Sequence, residues 1–193
     1  MRKVSNVVPD ATALKALAHP VRLRMLGMLR IDGPATATQL AGRLGLNSGA
    51  TSYHLRQLAQ HGFIEDAPGP SRRERWWRAR HETTSVLSAS ASGEDLELGV
   101  AFTQAALSGQ VSQMQQAVEE YARLPEAWRK ASTASDLTIP LTASEADALT
   151  AKIMDLLWEA MRNAPPLGEK LEGGREPFSL ILHAFPYPGR LGK

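Results

Sequence analysis

Hydrogen-bonding and cationic side chains recur at helical spacing between Leu46 and Phe63. Written as a helix, this segment places four small, hydroxyl or cationic residues on one side, namely Gly49, Ser52, Tyr53 and Arg56. Ser48, at the start of the segment, carries a hydroxyl of the same kind. Such groups can donate to and accept from the base edges that line the DNA major groove. The segment therefore predicts a helix that reads DNA, and the alternative is an ordinary surface helix.

The opposite side of this helix has the chemistry needed to dock on a core. Thr51, Leu55 and Leu58 follow one another at i, i+4 and i+7, which is the spacing of a buried helical stripe. Asn47 can cap the start of the helix. His54 lies beside the stripe, so two roles stay open for it, a contact with a DNA phosphate or an internal hydrogen bond.

The segments before this helix read as shorter helices. Residues 1–10 are polar, and we expect them to be frayed. A short helix is predicted over residues 11–18, and Pro20 suits the first turn of the next helix because its missing N–H has no partner there. That helix should stop at Asp32-Gly33-Pro34.

A capped helix and a tight turn then lead into the candidate DNA-reading helix. Thr36 and Gln39 match a capping box, in which each side chain bonds the other residue's backbone N–H. Gly45 makes the turn that follows, and Gly62 suits the exit of the DNA-reading helix. Two short helices joined by a glycine-containing turn form a helix-turn-helix.

A basic β-hairpin is predicted directly after these helices. Residues 63–66 read as a strand, 68–71 as a turn, and 72–80 as a returning strand. The tip and second arm carry two tryptophans and five arginines. The three arginines nearest the tip could neutralise phosphates or enter the minor groove, namely Arg72, Arg73 and Arg75. Alternatively the charges only keep an edge strand soluble.

The second half of the chain has a different pattern. Residues 82–93 are rich in Ser and Thr and are taken as a linker that can include some irregular strand, and residues 94–193 as a second domain. A long helix is predicted from Glu94 to Tyr121, with an apolar stripe that needs a partner. Alternating apolar residues predict strands at 137–141 and 179–185, and a helix should begin at the capping box of residues 142–145. We therefore expect a small α+β domain, whose aromatic residues line a pocket or, more plainly, form core and dimer contacts.

Composition narrows the classes of function. Residues 1–81 hold 13 Lys/Arg and 5 Asp/Glu, whereas residues 82–193 hold 9 and 15. A basic first half suggests a polyanionic partner. The absence of cysteine excludes disulfides, thiolate metal sites and cysteine nucleophiles. No stretch is apolar enough to span a membrane, and the first residues lack the apolar run of a signal peptide, so a cytoplasmic location is expected.

Signs of catalysis are missing from the pattern. The five histidines form no pair at helical metal-ligand spacing, and no phosphate-binding glycine loop or nucleophile elbow is present. His183, alone in an apolar predicted strand, is expected to be a core residue. The sequence therefore predicts no enzyme, no catalytic residue, no metal site and no cofactor.

Several motifs, which follow one another along the chain, resemble those of the ArsR-type winged-helix repressors. The stretches are A-L-A-H-P-V-R-L-R-M-L at 16–26, Q-L-A-G-R-L-G-L at 39–46 and T-S-Y-H-L-R-Q-L-A-Q-H-G-F-I at 51–64. Within them Ser52-Tyr53-His54-Leu55 is similar to that family's Ser-x-His-Leu run, and Arg75-Trp76-Trp77-Arg78 to the end of its wing. The resemblance implies a homodimer whose two recognition helices enter successive major grooves of a palindromic operator.

The chain also departs from the metal-sensing members of that family. It lacks the cysteines they carry on the third core helix, and the helix after the wing has no histidine pair. Release from DNA by a metal is therefore not expected. The extra half looks like the C-terminal extension of a larger branch, and the resemblance identifies no inducer.

Taken together, the sequence predicts a mainly α fold with a small β component. Residues 11–81 form a winged helix-turn-helix domain, followed by a helical dimerisation segment and the small α+β domain. The expected function is a sequence-specific, DNA-binding transcription regulator, as a homodimeric repressor with an unknown small-molecule effector and no membrane partner. The alternative is a winged-helix module that binds protein or dimerises without binding an operator.

Overall fold

A computed structural model describes residues 1–70, 73–86 and 92–191. Its helices in this part of the chain are α1 Ala11–Leu17, α2 Pro20–Ile31, α3 Ala37–Leu44, α4 Ser48–Gln60, α5 Glu94–Glu120, α6 Glu126–Ala131 and α7 Ala143–Asn163. Its strands are β1 Asn6–Val7, β2 Ala35–Thr36, β3 Ile64–Ala67, β4 Trp76–Ala79 and β5 Thr83–Thr84. The chain divides into two compact units, one of Lys3–Ser112 with Pro165–Pro177, and one of Met1–Arg2, Gln113–Ala164 and the chain from Phe178.

The helices of the first unit begin and end where the sequence predicts. Pro20 occupies the first turn of α2, and the His19 side chain accepts a hydrogen bond from the Val21 N–H. The capping box is complete, because Thr36 and Gln39 each bond the other's backbone N–H, at 3.3 and 2.9 Å. Gly45 follows α3 with φ of +65°, a left-handed conformation that costs glycine little.

One hydrophobic core joins these helices to the hairpin. Its members come from α1 to α4, β3 and β4, and all are nearly inaccessible to solvent: Leu17, Met25, Leu26, Leu29, Leu40, Leu55, Leu58, Phe63, Ile64 and Trp77. The core therefore fixes α4 and the hairpin relative to α2 and α3.

The predicted hairpin is present, although its returning strand begins at Trp76 rather than at residue 72, and it belongs to a three-stranded antiparallel sheet of order β2-β4-β3. Ile64 lies opposite Ala79, and Ala35 opposite Trp77. Trp77 is buried in the core, whereas Trp76 is only half-buried, because successive side chains point to opposite faces of a strand. The winged helix-turn-helix and the mainly helical class with a small sheet are thus confirmed.

Residues 1–10 were expected to be frayed, but part of this segment forms a strand. β1 pairs in parallel with β5, and the Ser5 N–H donates to the Glu82 carboxylate at 3.0 Å. Arg30, in α2, holds the same region, because its guanidinium donates to the His81 carbonyl and the Thr84 hydroxyl, both at 2.8 Å. The expectation failed because it judged the segment by its own polarity, whereas its partner strand lies more than 70 residues away.

That partner strand lies in the segment taken as a linker. The segment 82–93 begins with β5 and ends at the start of α5, and residues 87–91 lie outside the described part of the chain. The chain therefore leaves the winged helix through an anchored strand.

The strands predicted in the second half are wrong. Residues 137–141 and 179–185 have no regular secondary structure, and the described residues from 94 onward contain only helices and irregular chain. Pro140 removes a ladder donor, and neither segment has a strand to pair with, so alternation alone cannot form a sheet. His183 is accordingly exposed in irregular chain, rather than a core residue. The predicted small α+β domain is therefore helical where it is described.

The predicted helices of the second half are present. α5 runs without interruption from Glu94 to Glu120, through Ser108-Gly109. α7 begins at the second capping box, where Thr142 and Glu145 each bond the other's backbone N–H. No described helix is both long and apolar enough to cross a membrane.

Candidate nucleic-acid interface

α4 is held firmly at its start and along one side. The Asn47 side chain accepts a hydrogen bond from the Ala50 N–H at 2.8 Å, and the Thr51 hydroxyl donates to the Asn47 carbonyl at 3.0 Å. Thr51, Leu55 and Leu58 are buried, as their spacing predicts. The helix is therefore docked through this stripe and turns its other side outward.

The outward side of α4 carries the predicted reading residues. Ser48, Gly49 and Arg56 are exposed, the Tyr53 side chain is 52% exposed, and Ser52 is half-buried. Arg56 lies back along the helix, because its Nε donates to the Ser52 carbonyl at 3.3 Å. The structure thus brings these five residues together on one face.

The wing arginines are less uniform than the sequence suggests. Arg75 donates to both carboxylate oxygens of Asp66, at 2.5 and 2.8 Å, and its guanidinium lies 4.0 Å from the centre of the Trp77 ring. These hydrogen bonds hold the pKa of the Asp66 carboxyl below its usual range. Arg75 is therefore oriented by the wing itself, and part of its charge is balanced by Asp66.

Two further wing arginines are also paired with a carboxylate. Arg78 and Arg80 both pair with Glu65, at 2.8 and 3.4 Å. Arg73 is exposed at the turn, and Arg72 lies outside the described residues. Three wing arginines, Arg75, Arg78 and Arg80, are thus paired with carboxylates of β3.

A shallow depression of about 390 Å³ lies where α3, α4 and the wing meet. It is lined by Thr36, Ala37, Thr38, Ser52, Arg56, Glu74, Arg75 and Trp77. Predicted residues from the helix and from the wing thus share one surface. Thr38, an exposed hydroxyl at the start of α3, extends this surface and was missed by the sequence analysis.

On the other margin of α4, aromatic and basic side chains from two helices pack together. The His54 and His19 rings lie 4.8 Å apart, and the Tyr53 ring lies 5.5 Å from that of His54. Burial and the nearby charges of His19 and Arg22 lower the pKa of His54. Its Nδ1 atom is buried without a hydrogen-bond partner. The internal hydrogen bond considered for His54 is therefore not made by this atom.

Arg22 is the residue of this margin that the sequence analysis passed over. Its Nε is also buried without a hydrogen-bond partner, and burial lowers its pKa while Tyr53 acts in the opposite direction. Helical periodicity could not select Arg22, because an arginine on the second helix is typical of any solvated face. Its position in the H-P-V-R run at 19–22, within the resembling stretch, was the available signal.

The second half offers no comparable arrangement of polar groups among its described residues. The Trp128 and Phe178 rings stack at 6.2 Å, but Tyr121, Phe178 and Phe185 are exposed, so the predicted aromatic residues do not enclose a pocket as a set. In the part of the chain that the structure describes, no group of three or more His, Cys, Asp or Glu is placed to hold a metal ion.

Comparison with known proteins matches the same part of the chain. A family model described as "Helix-turn-helix domain" matches residues 17–67. The HTH-type transcriptional regulator YgaV of Escherichia coli strain K12 is 40% identical over 55 residues, which cover 28% of this chain and 56% of that protein. The HTH-type transcriptional regulator NmtR of Mycobacterium tuberculosis strain H37Rv is 43% identical over 54 residues, which cover 28% and 44%.

The chain spans about half the length of these curated relatives. Among solved structures, a mutant of Lactococcus lactis ZitR in apo form is 14% identical, covers 74% of this chain and 83% of that one, and has a TM-score of 0.33. The chain therefore contains a helix-turn-helix domain and is similar, over that domain, to HTH-type transcriptional regulators.

Proposed function

We propose that this protein is a sequence-specific regulator of transcription that binds double-stranded DNA through α4 and the wing. The observation that carries the proposal is the exposed polar face of α4, held by a capped start and a buried stripe. A reading helix must be rigid, because its side chains have to meet base edges within hydrogen-bond distance. The match of the same stretch to transcriptional regulators supports the assignment.

The side chains divide by what they can recognise. Arg56 can donate two parallel hydrogen bonds to a guanine edge, and the hydroxyls of Ser48, Ser52 and Tyr53 can bond bases or phosphates. Gly49 lets the helix backbone approach the groove closely. The wing residues Arg72, Arg73 and Arg75 supply phosphate or minor-groove contacts, with Arg75 the weakest because Asp66 already engages it.

We further propose that the protein acts as a homodimer through α5. Leu96, Val100, Leu107 and Val111 are between 39% and 46% exposed and fall within about 60° of one another on the helix. A second copy of α5 can cover this apolar stripe, because its own stripe has the same spacing. Two recognition helices would then contact successive major grooves of a palindromic operator.

The finer assignment rests on the motifs of the winged helix. The Ser52-Tyr53-His54-Leu55 and Arg75-Trp76-Trp77-Arg78 runs favour an ArsR-type repressor in the cytoplasm, without the metal release of its metal-sensing members. We place a small-molecule effector in the second unit, beside the Trp128 and Phe178 rings, which stack 6.2 Å apart. Its binding would change operator affinity through the dimer.

The proposal predicts that the purified chain selects particular fragments from its own genome. Selected fragments should share an inverted repeat and include the region upstream of its own gene, which repressors of this kind commonly control. Sequencing of the fragments retained on the immobilised protein measures this. Ser52→Asp puts a negative charge on the reading face and should abolish selection, whereas Ser135→Asp, on exposed chain of the second unit, should not.

A failure to enrich any sequence would contradict the proposal, as would equal enrichment by Ser52→Asp. In that case the winged helix would be an interaction module that binds protein or dimerises. The two readings differ in what α4 contacts, so the same variant separates them.

A further inference from the structure

The start of α2 packs against α4 beside its exposed face, and four side chains lie together there. His19 and Arg22 come from the start of α2, and Tyr53 and His54 come from α4. The His19 and His54 rings are 4.8 Å apart, and burial together with the nearby charge of Arg22 lowers the pKa of both imidazoles. We call these four residues the α2–α4 cluster.

The α2–α4 cluster contains polar atoms that nothing in the described chain satisfies. Arg22 Nε and His54 Nδ1 are both buried and without a hydrogen-bond partner. Buried polar atoms are nearly always paired in folded proteins, so two orphans in one cluster require an explanation. No carboxylate is among the groups whose charge acts on His19, Arg22 or His54. The cluster therefore holds the positive charge of Arg22, with no carboxylate among the groups that shift the pKa of Arg22.

The position of the cluster suits an anion of a particular kind. Ser52 and Arg56 border the depression shared with the wing, whereas Tyr53 lies about 100° and His54 about 200° further round α4 than Ser52, next to Arg22. The two basic margins therefore lie on either side of the reading face. A helix in the major groove, which is about 12 Å wide, has a sugar-phosphate backbone on each side.

We propose that the α2–α4 cluster binds a backbone phosphate of the DNA strand opposite the one that faces the wing. This inference rests on the proposed function, since it assumes that α4 enters the groove. The Arg22 guanidinium and the Tyr53 hydroxyl donate to the phosphate oxygens. The N-terminal end of α2 adds the positive end of its dipole, while the His19 ring caps that helix and forms a wall of the site.

A phosphate contact has a thermodynamic signature that a base contact lacks. Each neutralised phosphate steepens the dependence of log K on log salt by about 0.9 for duplex DNA, whatever the base sequence. Removing such a contact should therefore weaken binding to every sequence by the same factor and leave the preference for the selected site unchanged.

The test compares Arg22→Gln with wild type on two duplexes, one carrying the selected repeat and one of mixed sequence and equal length. Dissociation constants are measured over a series of KCl concentrations. We expect Arg22→Gln to reduce the slope by about 0.9 for each phosphate that it no longer neutralises, and to keep the ratio of the two affinities. Arg24→Gln removes an exposed arginine from the same helix and is the matched control, with a slope nearer to wild type.

A second measurement works from the DNA side and does not depend on how Arg22→Gln folds. Single phosphates of the selected duplex are replaced by uncharged methylphosphonates, one position at a time. At one position in each half-site, the replacement should weaken wild type but have a smaller effect on Tyr53→Phe, which loses only a hydroxyl from an exposed ring. Thermal melting establishes that each variant is folded.

The outcomes separate this inference from the function beneath it. A wild-type slope in Arg22→Gln, or a methylphosphonate scan without a position coupled to Tyr53, overturns the phosphate site while DNA binding stands. A change in the ratio of the two affinities assigns Arg22 to base reading and also overturns it. Wild-type protein that binds neither duplex overturns the proposed function, and the phosphate site with it.

Discussion

Arg56 and Arg75 carry the same charge, but they differ in how strongly the protein itself already binds their guanidinium groups. Arg56 bonds a backbone carbonyl of its own helix, at 3.3 Å, and can leave it at little cost. Arg75 is fixed by two hydrogen bonds to Asp66 and by the Trp77 ring. We therefore expect Arg56 to contribute to sequence preference, and Arg75 to shape the wing as much as to contact a phosphate.

The histidines beside the reading face make stability depend on pH. Burial, together with the charge of Arg22, lowers the pKa of both His19 and His54 from 6.5, and the charge of His19 lowers that of His54 further. The unfolded chain then binds more protons than the folded one near that pH. Stability should be fully present above about pH 6.5 and fall as the pH is lowered through that value.

Thermal melting between pH 7.5 and 5.5 measures this effect. The melting temperature of wild type should fall over that range, and that of His54→Gln should fall less, because one neutral imidazole has been removed. His81, whose pKa burial also lowers, accounts for part of the decline that remains. His61→Gln, at the end of α4, is the control. A decline in His54→Gln as large as in wild type would count against the lowered pKa of His54.

Residue roles were predictable where a local pattern determined them. The Asn47 cap, the Thr36-Gln39 box and the buried stripe of α4 each follow from a spacing of three or four residues, which the sequence displays directly. The α2–α4 cluster does not, because it joins Arg22 to Tyr53 across 31 positions. Pairings of that kind depend on how two helices cross, which no local period encodes.

At the scale of elements, α5 is the feature that most needs a partner. It is 27 residues long and has a single buried residue, Gly99, among those described. An apolar stripe that stays in water gives up the free energy that its burial would supply, roughly 25 cal/mol for each Å². A helix of this length with such a stripe is therefore expected to pair in solution.

Sedimentation tests the pairing of α5. Wild type should sediment as a dimer at micromolar concentration, and Leu107→Glu combined with Val111→Glu should sediment as a monomer, because it places two charges within the stripe. Leu137→Glu changes a leucine that is 83% exposed and away from any helix, so it should leave the dimer intact. A monomeric wild type, or a double variant that remains dimeric, would contradict the role of α5.

The helices could be predicted from the sequence, whereas the predictions of isolated strands were wrong. α5 and α7 have long, periodic patterns that require only their own backbone for hydrogen bonding. The segments 137–141 and 179–185 alternate correctly, but a strand needs a neighbour, and none is present among the described residues. β1 and β5 show the converse, since two short pairs of residues with no strand pattern of their own become strands once they meet.

At the scale of the whole molecule, the basic part of the chain coincides with the winged helix-turn-helix. Residues 1–81 hold most of the Lys and Arg, and they contain the helix-turn-helix and the wing. Residues 82–193, which include α6 and α7, carry the excess of Asp and Glu. The face proposed to meet DNA and the α5 stripe proposed to pair both belong to the first unit.

The central claim is that the exposed face of α4 reads base sequence, and one measurement tests it most directly. Affinities of wild type and Arg56→Ala are compared on the selected duplex and on a mixed-sequence duplex at one salt concentration. We predict that Arg56→Ala lowers the preference for the selected duplex by about 1–3 kcal/mol, which is what one bidentate base contact contributes. Arg123→Ala, on exposed chain after α5, should keep the full preference. An unchanged preference in a folded Arg56→Ala protein would contradict the account.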